Sequence, residues 1–120
     1  MKVLIVDDSR AMRMIVKRTL GQTDVGKCDI VEASNGAEGL AQVEAERPDL
    51  VLCDWNMPEM SGIEFLKQLR ESGSEVAFGF ITSESGEDIK TLAMETGAQF
   101  IITKPFTAQS LNAALVPATA

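Results

Sequence analysis

A doubly wound α/β sandwich, a five-stranded parallel sheet with helices on both faces, is the fold this sequence predicts. Three observations lead there. Apolar runs alternate five times with helically patterned segments, the runs are apolar on both faces, and the connections between them are short. At 120 residues, 45% hydrophobic and 24% charged, the chain is expected to form one domain over residues 1–120 around a single core. For a (βα)5 pattern of this size, strand order 2-1-3-4-5 is the common solution.

Each element has a local cause. Lys2–Val6 reads as a buried strand. From Ser9 to Leu20, Met12, Ile15, Val16, Thr19 and Leu20 fall at helical spacing, and Gly21 is a stop signal. Cys28–Ala33 reads as the second strand. Asn35, with Glu38 three residues on, is a capping signal for a helix to about Glu46, which Pro48 ends. Leu50–Asp54 is the third strand. Ser61 with Glu64 is a capping box that opens a helix burying Ile63, Leu66 and Leu69 and ending near Gly73. Val76–Thr82 is the fourth strand, and Ser85 is expected to cap a helix carrying Ile89, Leu92 and Ala93 that stops at Gly97. Phe100–Thr103 is the fifth strand. Thr107–Val116 is a short last helix before Pro117.

Composition narrows the chemistry. Eighteen Asp and Glu against eleven Lys and Arg give a net charge of -7, and both halves of the chain are acidic. Such a chain repels phosphate backbones and anionic lipid, so no nucleic-acid binding by bulk charge is expected. No apolar run approaches the roughly 18 residues of a membrane span, and no membrane insertion is expected. The absence of histidine removes His-ligated metal sites and the histidine-dependent nucleophilic triads. Two cysteines, Cys28 and Cys53, form no disulfide pattern and suggest a reducing cytoplasm.

In sheets of this kind the ligand site lies at the carboxyl ends of the strands, beside the switch between strands 1 and 3. The residues expected there are Asp7 and Asp8, Asp54, Thr82, and Thr103-Lys104-Pro105. Each has an ordinary reading when taken alone. Asp8 can start a helix beside Ser9, Asp54 can serve a turn, Thr82 can be a satisfied strand hydroxyl, and Lys104 a solvated charge. Together they place three carboxylates, a hydroxyl and an ammonium on one rim. Three close carboxylates repel and need compensation, which a hard divalent cation supplies. Mg2+ takes oxygen ligands and suits one or two carboxylates plus a phosphate oxygen. The pocket therefore reads as Mg2+ plus a phosphoryl group, with an Asp as nucleophile and no need for histidine.

These residues resemble the receiver domains of two-component response regulators. The resemblance spans the chain and rests on Asp7-Asp8, the run Asp54-Trp55-Asn56-Met57-Pro58-Glu59-Met60-Ser61-Gly62, Thr82-Ser83, and Lys104-Pro105-Phe106, all in the family's order and spacing. The Trp-Asn-Met-Pro wording and Met12-Arg13 are most similar to the single-domain, chemotaxis-type members, whose fold is flavodoxin-like. By position, the resemblance makes Asp54 the phosphoacceptor. Asp8 and Asp54 would ligate Mg2+ with the Asn56 backbone carbonyl, Asp7 would act largely through water, and Thr82 and Lys104 would hold the phosphoryl group. It also implies a cis peptide before Pro105. Asn56 and Glu84 occupy the family's two positions that tune acyl-phosphate lifetime, and their identity implies a short-lived signal. The donor would be the phosphohistidine of a histidine kinase or a histidine phosphotransfer domain. The output would be a surface of the fifth strand with the fourth and fifth helices that binds a protein target such as a flagellar motor switch.

One position departs from the family. Where a Tyr or Phe often stands three residues before the lysine, this chain has Ile101, and the neighbouring Phe100 points to the opposite face. Aromatic rotation as a readout is therefore not carried over. Arg10, Arg13, Lys17 and Arg18 make the first helix the basic region of an acidic chain, either as a solvated face or as the docking surface for a kinase or phosphotransfer domain. Cys53 and Cys28 read as small apolar residues, the six methionines mostly as core filling, and Trp55 as a partly exposed ring near the pocket.

The leading expectation is a binding switch and not an enzyme, one that catalyses only its own phosphorylation and autodephosphorylation. Alternatives are a phosphate sink that drains a shared kinase, a Mg2+-dependent aspartyl-phosphate phosphatase, and a flavin-binding redox module of the same fold. Asn56, where such phosphatases place a second carboxylate, and the acidic rim count against the last two. With no output domain expected after the fifth helix, the output would be a surface that another molecule reads.

Overall fold

The computed structural model describes residues 1–25 and 28–119. Its elements run β1 (Lys2–Val6), α1 (Arg10–Leu20), β2 (Asp29–Ala33), α2 (Gly36–Glu46), β3 (Leu50–Cys53), α3 (Gly62–Glu71), β4 (Ala77–Thr82), α4 (Glu87–Thr96), β5 (Phe100–Thr103) and α5 (Ala108–Thr119). The five strands form one parallel sheet in the order β2-β1-β3-β4-β5, as expected. β1 is central to the site: Val6 pairs with Ala33 on one side and with Cys53 on the other.

Alternate residues of each strand feed two cores. Val3 and Ile5 of β1, with Leu50, Leu52, Ile81 and Ile102, pack against Val16 and Leu20 of α1 and Leu111 and Leu115 of α5. Leu4 and Val6, with Val51, Cys53, Phe78 and Phe80, pack against Phe65, Leu66 and Leu69 of α3, with α2 and α4 completing that layer. Apolar character on both faces of every central strand is what two helical layers require.

Three helix starts carry side-chain caps, as expected at Asn35 and Ser61, while Ser9 rather than Asp8 caps α1. Ser9 Oγ accepts the Met12 N–H, Asn35 Oδ1 accepts the Glu38 N–H, and Ser61 Oγ accepts the Glu64 N–H. The Glu38 carboxylate reaches back to Ser34, whose N–H and hydroxyl both donate to it, rather than to Asn35.

Several expected boundaries shift. β2 begins at Asp29, whose N–H donates to the Met1 carbonyl, so Cys28 lies outside it, and β4 begins at Ala77 rather than Val76. β3 stops at Cys53, although the Asp54 N–H still reaches the Val6 carbonyl at 3.0 Å. Ser85 does not cap α4. Gly86 holds that position at φ 129°, a conformation open to glycine, and supplies no side-chain cap. α5 continues through Pro117, because proline's fixed φ suits a helix and its missing N–H costs one bond near the end.

The expected stripes are also narrower than their periodicity. In α1 only Val16 and Leu20 are buried, while Ile15 is exposed, and in α4 Leu92 is exposed beside buried Ala93. Met57 and Met60 pack on the core, but Met1, Met14 and Met94 face solvent. Among the described residues, no helix is long and apolar enough to cross a membrane.

Candidate functional site

The carboxyl ends of β1, β3, β4 and β5 meet at one rim, and each brings a residue of the expected site there. Asp7 follows β1. Its N–H donates to Ala33 at 3.1 Å, its Oδ1 accepts the Ser9 N–H at 2.9 Å, and the side chain is buried. Asp8 is exposed, and among the described residues no hydrogen-bond donor holds its carboxylate. Asp54 follows β3, with Oδ1 accepting the Trp55 N–H at 2.9 Å. One oxygen from each of Asp7, Asp8 and Asp54 lies within 4.8 Å of the others.

Among the described residues a single ammonium faces this cluster. Lys104 Nζ lies 3.4 Å from Asp54 Oδ1 and 3.8 Å from Asp7 Oδ2. Its placement is a backbone matter: the Lys104 N–H donates to the Thr82 carbonyl at 2.7 Å, and the peptide to Pro105 is cis, as the resemblance implied. Burial raises the Asp7 carboxyl above its ordinary value. The Ser9 hydrogen bond and Lys104 lower it in part, whereas the neighbouring Asp54 and Asp8 charges raise it further. Three carboxylates against one lysine leave a net negative hole lined by hard oxygen donors, which fits Mg2+.

The remaining predicted residues are also brought together. Thr82 is fully buried, and its Oγ1 accepts the Glu84 N–H at 3.0 Å, so its own hydrogen can be donated elsewhere. Asn56 Nδ2 donates to Glu84 Oε1 at 3.2 Å, which joins the two expected lifetime-tuning residues directly. Gly62 closes the loop after β3 with its N–H on the Trp55 carbonyl. A Cβ there would sit 2.2 Å from the Asp54 carbonyl oxygen, so only glycine lets α3 start this close to the acid.

Two expectations are corrected. Trp55 is not a partly exposed ring: it is 8% exposed and packs on Phe80 with centroids 4.8 Å apart, so it belongs to the core that supports Asp54. Arg13 does not belong to an open basic face. Its Nη1 donates to the Asp7 carbonyl at 2.6 Å and its Nε to Glu32 at 2.9 Å, which leaves Arg10, Lys17 and Arg18 exposed with Met14 and Ile15 between them. The helical spacing from Arg13 to buried Val16 was the available signal.

Ile101 and Phe100 face opposite cores, as adjacent strand residues must. Ile101 lies directly across from Phe80 of β4 and borders a groove of about 250 Å³ shared with Glu84, Ile89, Lys90 and Thr103. Cys53 is buried with its Sγ on the Asp54 carbonyl. Burial, and secondarily the nearby Asp54 and Asp7 charges, push its thiol well up, which suits the inert reading.

A parallel α/β sandwich that carries an acid cluster, a buried threonine and a lysine after a cis-prolyl turn defines a narrow class of signalling domain. Residues 3–116 match the profile of the response regulator receiver domain, and the chain belongs to that family. It is 40% identical over 115 residues to the chemotaxis protein CheY1 of Helicobacter pylori, a match covering 93% of this chain and 91% of the relative. The CheY homologue of Campylobacter jejuni is 38% identical, with 93% and 87% covered. Among solved structures, chemotaxis protein CheY4 of Vibrio cholerae superposes with a TM-score of 0.86 at 34% identity, covering 98% of this chain and 97% of that one.

Proposed function

We propose that this chain is a phosphorylation-driven switch of a chemotaxis-type two-component pathway, with Asp54 as phosphoacceptor. The observation that carries the reading is the convergence of Asp7, Asp8 and Asp54 within 4.8 Å, with Lys104 Nζ 3.4 Å from Asp54. Asp8, Asp54 and the Asn56 carbonyl would hold Mg2+, with Asp7 acting through water. When bound, the ion neutralises the acids and the incoming phosphoryl oxygens.

The chemistry of the chain's own residues follows from their partners. Asp54 Oδ1 is occupied by the Trp55 N–H and Lys104, which leaves Oδ2 as the nucleophile. Oδ2 forms a bond to the phosphorus of a phosphohistidine as the nitrogen–phosphorus bond breaks, and the imidazole nitrogen leaves with that electron pair. The Lys104 ammonium and the Thr82 hydroxyl then each take a phosphoryl oxygen. Thr82 moving toward the phosphoryl group releases the Glu84 N–H and so perturbs the groove beside Ile101, on the β5, α4 and α5 surface read by a protein target. The Asn56–Glu84 pair at the mouth orients attacking water and keeps the acyl phosphate short-lived.

Arg10, Lys17 and Arg18 around exposed Met14 and Ile15 offer the docking face for a histidine kinase or phosphotransfer domain. Charge reversal at Lys17 and Arg18 is expected to slow transfer and flatten its salt dependence, and unchanged kinetics would remove that face from the reading. Similarity to the CheY proteins over most of their lengths supports a motor-switch target. A sink for a shared kinase is the second reading, favoured by Ile101 at the usual aromatic position.

The test is phosphoryl uptake from phosphoramidate or acetyl phosphate, followed by intact mass. One phosphoryl group is expected, only with Mg2+, decaying within minutes and absent in Asp54→Asn. Uptake retained in Asp54→Asn contradicts the assignment of Asp54, and a modification that lasts for hours contradicts the role given to Asn56 and Glu84.

A further inference from the structure

We propose that Arg13 of α1 is a positioning residue for the metal-binding rim, acting through the Asp7 backbone; this rests on the reading above that the rim holds Mg2+. Asp8 is the exposed acid of the cluster, and no hydrogen-bond donor among the described residues fixes its carboxylate. Its direction is therefore set by the main chain that delivers it. That main chain has just left β1, beyond the last paired residue Val6.

Asp7 is held on three further sides, of which the Ser9 N–H on its Oδ1 fixes the peptide after Asp8 and leaves the peptide before it to another partner. Its N–H is on Ala33, its Oδ1 on the Ser9 N–H, and its Oδ2 faces Lys104. The carbonyl of Asp7, which lies in the plane of the Asp7–Asp8 peptide, is held by Arg13 Nη1 at 2.6 Å. The other edge of the guanidinium is tied to Glu32 on β2 by Nε at 2.9 Å. The fork thus braces the peptide before Asp8 against a neighbouring strand. The side chain is only 14% exposed, so the brace is mostly out of solvent. Lysine offers a point charge and cannot span both acceptors in this plane.

Charge and positioning give opposite signs. A cation beside a cation site repels Mg2+, so if Arg13 acted by charge alone its removal would tighten Mg2+ binding. If it acts by holding the peptide, its removal weakens binding, as loss of residues that orient metal ligands does.

The experiment is calorimetric titration of Mg2+ into the unphosphorylated protein, with the folded fraction checked by circular dichroism. Arg13→Met is expected to raise the dissociation constant about tenfold. Arg13→Lys, which keeps the charge, is expected to raise it severalfold. Glu32→Gln, which leaves the Asp7 contact in place, is expected to change it less than about twofold. Affinity that is unchanged or tighter in Arg13→Met, or fully restored in Arg13→Lys, overturns the proposal. If Arg13→Met does not fold, Arg13→Lys decides by the same criterion. A wild-type protein that binds no Mg2+ contradicts the underlying site reading instead.

Discussion

The two ends of the sheet treat their acids differently. At the amino end, where β1 and β3 begin, Asp49 accepts the Lys2 N–H at 2.8 Å and Glu46 pairs with Lys2 Nζ at 3.2 Å. Both acids are exposed and each has a partner. At the carboxyl end, three carboxylates crowd within 4.8 Å, one of them buried, and among the described residues one lysine lies against two of them, Asp7 and Asp54. The same acidic chain balances its charges at one end and leaves them in surplus at the other. Crowding at the carboxyl rim is therefore not a by-product of a net charge of -7. It is a local arrangement that destabilises the empty site and favours a cation.

The largest expected effect removes the lysine that faces the crowded acids. Lys104→Met is expected to slow phosphoryl uptake from phosphoramidate about 100-fold, as loss of one aligned charge at a transferring group does. A rate within twofold of wild type would mean that Lys104 only balances charge.

A smaller effect separates the two ends by sign. Without Mg2+, Asp7→Asn is expected to raise unfolding stability in urea by about 1 kcal/mol, because it removes a buried charge repelled by its neighbours. Asp49→Ala is expected to lower stability by about 0.5 kcal/mol by orphaning the Lys2 N–H. The same sign at both ends would break the contrast drawn between them.

The smallest effect concerns an acid just past the carboxyl end of β2 that is fully satisfied. Hydrogen bonds from the Ser34 N–H and hydroxyl hold Glu38 below its ordinary value. A lowered folded-state value means that the contact stabilises α2 above the ordinary carboxylate range and is lost as pH falls through the folded value. Amide exchange at Ser34 is expected to speed up relative to the sheet core between about pH 6 and about pH 3, and Glu38→Gln, which does not titrate, is expected to flatten that dependence.

Much of the site was legible because strand ends are legible. Once Lys2–Val6, Leu50–Asp54 and Val76–Thr82 are read as strands, parallel topology forces Asp7, Asp54 and Thr82 onto one rim, even though the observed strands are a residue shorter at Asp54 and Val76. Caps at Asn35 and Ser61 were readable because they are contacts within one turn. What escaped depends on distant partners. Trp55 is buried because Phe80, from another strand, meets it across the sheet. Arg13 is fixed by Glu32 and Asp7, which only the fold brings alongside α1. Gly86 takes the cap from Ser85 through a backbone conformation that composition does not announce.

Denaturant unfolding with and without Mg2+, on wild type and Asp8→Asn, tests the carboxyl rim most directly. Ligand linkage predicts that Mg2+ at about 100 times its dissociation constant stabilises wild type by about 2.7 kcal/mol, and that Asp8→Asn loses most of this gain. An equal gain in both proteins, or no gain in wild type, would contradict the view that this rim is a metal-dependent phosphoryl site.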